Sequence, residues 1–97
     1  ECKNAIEIDS DYGNSYNDIG AYLIAQGKPD DAIPYIEMAL NSKRYDSYHF
    51  AHLNLGRALE MKGLWLEAVE EYRKSKEIAP DYLPAKQNFN RLQGILN

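Results

Sequence analysis

The sequence holds little cysteine, few glycines and prolines, and no excess of basic charge. One cysteine, Cys2, excludes an intrachain disulfide. Six glycines and four prolines in 97 residues are too few for collagen or a low-complexity linker. Hydrophobic residues make up 44% and charged residues 27%, ordinary values for a folded domain. No run of ~18 apolar residues is present, which excludes a membrane-spanning helix from the expectation. Fifteen acidic against eleven basic residues give a net charge of -4, which argues against nucleic acid as a partner. The basic residues cluster only at Lys43-Arg44 and within Arg73-Lys74-Ser75-Lys76. Glu67, Glu70 and Glu71 precede the second cluster, and Glu70 and Lys74 have the i, i+4 spacing of a surface ion pair worth ~0.3 kcal/mol. That run reads as a solvated helix face.

Signatures of chemistry are missing as well. There is no phosphate loop, GxSxG, HExxH or cysteine pair. His49 and His52 are three apart, but no third ligand has matching local spacing, so no metal and no cofactor are expected, and His52 is expected in a core or interface. Cys2 has no histidine near it in sequence and reads as an incidental thiol. Glu1 stands where a start methionine would, so the chain is expected to be processed or cut from something longer.

What is present is a repeat. Glu7-Ile-Asp-Ser-Asp-Tyr12 matches Glu77-Ile-Ala-Pro-Asp-Tyr82 at four of six places. Gly20, Leu23, Gly27 and Ala32 recur 36 residues later as Gly56, Leu59, Gly63 and Ala68. Tyr16, Ile19, Gly20 and Leu23 fall at i, i+3, i+4 and i+7, one face of a helix. Gly27 predicts its end, because glycine enters the left-handed conformation at little cost. Pro29, Asp30 and Asp31 predict a new helix start, where proline fits and carboxylates oppose the helix dipole. Ala32, Ile36, Ala39 and Leu40 form that helix's inner face, and Pro34 lies within its opening turns. The second unit repeats the plan with His52, Leu55, Gly56, Leu59, a stop at Gly63, then Ala68, Tyr72 and Ser75, and Pro80 closes it. A last helix carries Ala85, Phe89, Leu92 and Leu96. Gly20 is expected to face Ala32, and Gly56 to face Ala68, so that antiparallel helices approach closely. Tyr16 and Tyr72 fall at core positions, and Trp65 is expected to be partly packed.

These residues resemble the tetratricopeptide repeat (TPR) family. Its period is about 34 residues, and its pattern runs from a large residue through Leu-Gly, Gly and Ala to a second Ala and Pro. The first unit carries it as Tyr16, Ile19-Gly20, Leu23, Gly27, Ala32, Ile36 and Ala39; Arg44 replaces the proline and two extra residues follow. The second carries Leu55-Gly56, Leu59, Gly63, Ala68, Tyr72 and Pro80, with His52 and Ser75 as polar departures. The resemblance implies an all-α fold, a right-handed superhelix of antiparallel helix pairs. It implies one domain over residues 1–97: the tail of a preceding repeat (1–12), repeats at 13–46 and 49–82, and a capping helix or half-repeat (83–97).

The resemblance also implies a non-enzymatic scaffold that holds a protein or peptide in a concave groove of first helices. Helical geometry assigns that groove a stripe displaced from the buried one: Asn14, Asn17, Ala21 and Ile24, then Phe50, Leu53, Arg57, Glu60 and Met61, then Pro84, Gln87, Arg91 and Ile95. Phe50, Leu53 and Met61 are expected to form an apolar patch, with Arg57 and Arg91 donating to a carboxylate or carbonyl. A carboxylate clamp known in the family does not transfer: its positions fall on Asn17, Ala21, Asn54, Pro84 and Asn88, and only Asn54 matches. Two rival readings are a homo-oligomer assembled through the unpaired N-terminal helix around Ala5, Ile6 and Ile8, and a docking segment of a larger enzyme. The expected compartment is the cytoplasm, with no membrane insertion.

Overall fold

The computed structural model describes residues 13–42 and 47–96, with side chains from Ser15 onward. The expected half-repeat at 1–12, with Cys2 and the oligomerising surface assigned to it, and the end of the first repeat at 43–46, with Arg44, lie outside the described residues. The described chain forms five helices and no strand: α1 (Gly13–Ala25), α2 (Pro29–Leu40), α3 (Tyr48–Met61), α4 (Trp65–Ile78) and α5 (Leu83–Leu96). None is long and apolar enough to cross a membrane.

Two of the turns are built alike. Gly27 and Gly63 have φ of 75° and 80°, the left-handed region that side chains resist. In both, the glycine N–H returns to the carbonyl three residues back (Ile24 or Glu60), and the next N–H to the carbonyl five back (Leu23 or Leu59), at 2.8–2.9 Å. This is the Schellman arrangement, which satisfies carbonyls that a helix end leaves unpaired. Pro29, Asp30 and Asp31 open α2, and Pro80 follows the end of α4.

Each helix packs on its neighbour in sequence, and α1, α3 and α5 also touch in series. The result is repeat-like stacking of helix pairs. Tyr16, Ile24, Ala32, Ile36, Ala39, Ala51, Leu55 and Ala58 form one apolar cluster among α1, α2 and α3. Leu53, Ala68, Tyr72, Ala85 and Leu92 form a second among α3, α4 and α5, and Leu59 packs against both. Full burial of a side chain such as Ile36 or Leu92 contributes ~1.5–3 kcal/mol.

The close approach of paired helices holds, but the partners differ from the expectation. A Cβ on Gly20 would lie 2.5 Å from Ile36 Cγ1 and 3.5 Å from the Ala32 carbonyl oxygen. A Cβ on Gly56 would lie 2.6 Å from Tyr72 Cε1 and 3.2 Å from the Ala68 oxygen. Each glycine thus makes room for the large residue one turn beyond the alanine, not for the alanine methyl. The second hairpin is more polar, as its sequence suggests. Buried Ser75 donates to the His49 carbonyl at 2.7 Å, and His52 Nδ1 lies 2.7 Å from Glu71 Oε1. On the outer face of α4, Glu70 pairs with Arg73 and not with Lys74; Lys74 reaches Glu71 at 3.1 Å. One-turn spacing permits either partner, and side-chain rotamers decide between them.

Candidate functional site

The face along which α1, α3 and α5 touch carries a depression of about 390 Å³, lined by Ile24, Arg57, Glu60, Met61, Tyr72, Asn88 and Arg91. Five of these, Ile24, Arg57, Glu60, Met61 and Arg91, belong to the stripe read from the sequence. They come from three helices, so the stripe is one surface in space.

Its polar groups form two hydrogen-bonded series. In the first, the Asn54 Nδ2 amide donates to Asn17 Oδ1 at 3.0 Å, tying α3 to α1. Arg57 Nη1 then donates to Asn54 Oδ1 at 3.3 Å. Both asparagines are buried, where an unpaired amide is costly; the pair satisfies the Asn54 donor and the Asn17 acceptor, and Arg57 satisfies the Asn54 acceptor. Arg57 is exposed and makes that one hydrogen bond among the described residues. A guanidinium has five N–H donors, so most of its fork is left over.

In the second series, Arg91 grips Glu60 with two bonds of 2.8 Å, tying α5 to α3, and donates a third to Asn88 Oδ1 at 3.0 Å. The Tyr72 hydroxyl donates to Glu60 Oε1 at 2.8 Å. Arg91's hydrogen bonds hold the Glu60 carboxyl below its ordinary range, against the opposing effect of burial. Burial, and then its bond to Glu60, pushes the Tyr72 hydroxyl well above its ordinary range. Glu60 in turn raises Arg91. The group therefore stays an anion, a cation and a neutral phenol through neutral pH.

Several stripe residues lie elsewhere than expected. Ile24 and Leu53 are 5% and 7% exposed and belong to the two apolar clusters; Asn17 is 8% exposed. Leu53 is therefore part of the core beneath the surface, and no apolar patch includes it. The physical reason is that α3 packs on all four other helices, so its buried arc is wider than one stripe. Phe50 is 39% exposed and stacks edge-to-face on Tyr82 at 5.2 Å, with His49 tilted against it at 4.1 Å. Met61 is 48% exposed, and Gln87 is exposed one turn before Arg91 on α5. Asn14 lies in α1, but its side chain is outside the described ones. Arg91, expected to await a ligand carboxylate, already holds Glu60. His49 and His52 diverge, one to aromatic rings and the other to Glu71, so no metal pair forms between them.

Asn54, Tyr72 and Asn88 complete the surface without having been assigned to it. Tyr72 reads from the sequence as core, which its ring is; only its hydroxyl reaches the groove. No protein-family model matches the chain, and no curated protein matches it.

Proposed function

We propose that this chain is a non-enzymatic protein-interaction scaffold of the TPR type, holding an extended peptide or protein segment along α1, α3 and α5. The observation that carries this reading is the depression on that face, where the largely uncommitted Arg57 guanidinium stands among Ile24, Met61 and the fixed Glu60–Arg91 pair. Repeat-like stacking supports it: first helices in series make a continuous surface in a right-handed superhelix of helix pairs. Arg57 supplies charge-assisted hydrogen bonds to a carboxylate or backbone carbonyl of the segment. Phe50 and Met61 flank it and give apolar contact. The Glu60–Arg91 pair fixes the far wall.

The test is a selection from a random peptide library displayed on phage, using the immobilised protein as bait. Enriched peptides are then measured by fluorescence anisotropy on the parent and on the F50A/R57A variant. A loss of about tenfold or more in affinity is expected, since hot-spot aromatic and arginine truncations cost ~1–2 kcal/mol or more. Peptides that all bind the variant as well as the parent would remove the proposal, as would a selection that enriches none.

A further inference from the structure

A second groove lies on another side of the molecule. Leu55 and Leu59 on α3, Ile33 on α2 and the exposed Leu66 on α4 give a depression of about 500 Å³ its apolar lining. At ~100° per residue, Leu55 and Leu59 sit on the opposite side of α3 from Arg57 and Met61, so this surface is distinct from the one above. Leu66 is 74% exposed, the most exposed large apolar side chain among the described residues. Leu66 and Glu67 also line a neighbouring apolar depression with Leu64, Trp65 and Leu96, so the apolar surface continues past the groove's end.

The rim is acidic. Glu37 from α2 and Glu67, Glu70 and Glu71 from α4 line the groove, and no lysine or arginine does. Glu70 is held by Arg73, and Glu71 by His52 and Lys74. Glu37 and Glu67 have no ion pair or hydrogen bond among the described residues, and they stand on the two opposite helices of the groove. An apolar lining between two uncommitted carboxylates is complementary to one kind of occupant. We infer that this groove docks a basic amphipathic helix of a partner protein, with apolar side chains on Leu59 and Leu66 and Lys or Arg reaching Glu37 and Glu67. Helix-in-groove binding takes its anchoring from the apolar face, and the charges fix orientation and partner choice. The inference does not rest on the use of the α1–α3–α5 face.

The probe is a fluorescein-labelled peptide of about 14 residues, leucines at helical spacing and lysines elsewhere, measured by anisotropy on the full chain. Its counterpart carries glutamate for every lysine. Binding of the lysine peptide is expected to weaken with salt and to fall at least about fivefold in the E37Q/E67Q variant. Trp65, the one tryptophan, adjoins the groove and should shift its emission when the peptide binds. Glu37 and Glu67 are exposed, so the variant should melt like the parent and keep the peptides selected on the α1–α3–α5 face. The inference fails if the two peptides bind alike, if the lysine peptide does not bind, or if the variant binds it unchanged. It fails equally if sedimentation shows a parent dimer that E37Q/E67Q dissolves, because the occupant is then a second copy.

Discussion

Glycine does opposite things at two helical positions of this chain. At Gly56 the missing side chain is filled by the Tyr72 ring, and an added methyl would meet it at 2.6 Å. At Gly94, inside α5, an added methyl would meet nothing within 4 Å. Gly56→Ala should therefore overpack the second hairpin and cost ~1–3 kcal/mol, lowering the melting temperature by roughly 5–20 °C. Gly94→Ala should gain ~0.5–1 kcal/mol by restricting the unfolded chain, and raise it by several degrees. Thermal melts of the two variants beside the parent check both signs. An unchanged melt for Gly56→Ala would mean that Tyr72 yields without cost. The repeat alignment singles out Gly56 but not Gly94; that one glycine is crowded and the other open is a matter of the facing helix.

At the scale of elements, Glu60 on α3 joins α4 through Tyr72 and α5 through Arg91. Its carboxyl is held below an ordinary value of 4.5, chiefly by Arg91. A carboxyl depressed in the fold contributes stability above its unfolded pKa and loses it as pH falls through the folded one. The melting-temperature gap between the parent and Glu60→Gln should thus be largest at neutral pH. It should close as pH drops from about 4.5 downward, with a modest size because the pair is partly exposed. A gap that stays constant from about pH 7 to pH 3 would show that the charge of Glu60 does not tie the helices. The helices themselves were legible in the sequence: Gly27, Pro29, Gly63 and Pro80 punctuate the chain where the turns fall, and the 36-residue recurrence reproduces the same turn twice. The buried faces of α2 and α4 were legible too, as Ala32, Ile36 and Ala39 and as Ala68, Tyr72 and Ser75. The groove was legible only in part. Periodicity gives a helix one buried stripe, but α3 is surrounded, so Leu53 and Asn54 sink into contacts that no local pattern encodes. The engagement of Arg91 with Glu60, 31 positions away in sequence, likewise depends on stacking.

For the whole molecule, the two apolar clusters meet at Leu59, which packs against both. A stack of helix pairs is held together by its neighbour interfaces, so cooperativity depends on such shared residues. Leu59→Ala should separate the unfolding of the α1–α2 side from that of the α4–α5 side. Trp65 emission reports the second side, and far-ultraviolet circular dichroism reports all helices. The two melts should coincide in the parent and diverge in the variant, which is the ordinary sign of lost two-state behaviour. Coincident melts in Leu59→Ala would place the coupling in the α1–α3 contact instead.

The buried Asn17–Asn54 pair lies within that contact. A buried amide in this seam acts as a key and lock: the Asn54 Nδ2 donor is satisfied here by the acceptor that the neighbouring helix presents at the same height. Sliding α1 by one turn against α3, or replacing it with a helix that has leucine at the place of Asn17, strands a carboxamide away from water at a cost of ~1–3 kcal/mol. Apolar contacts alone would tolerate either change. Which helix pair follows which, and in what register, is thereby written into two side chains.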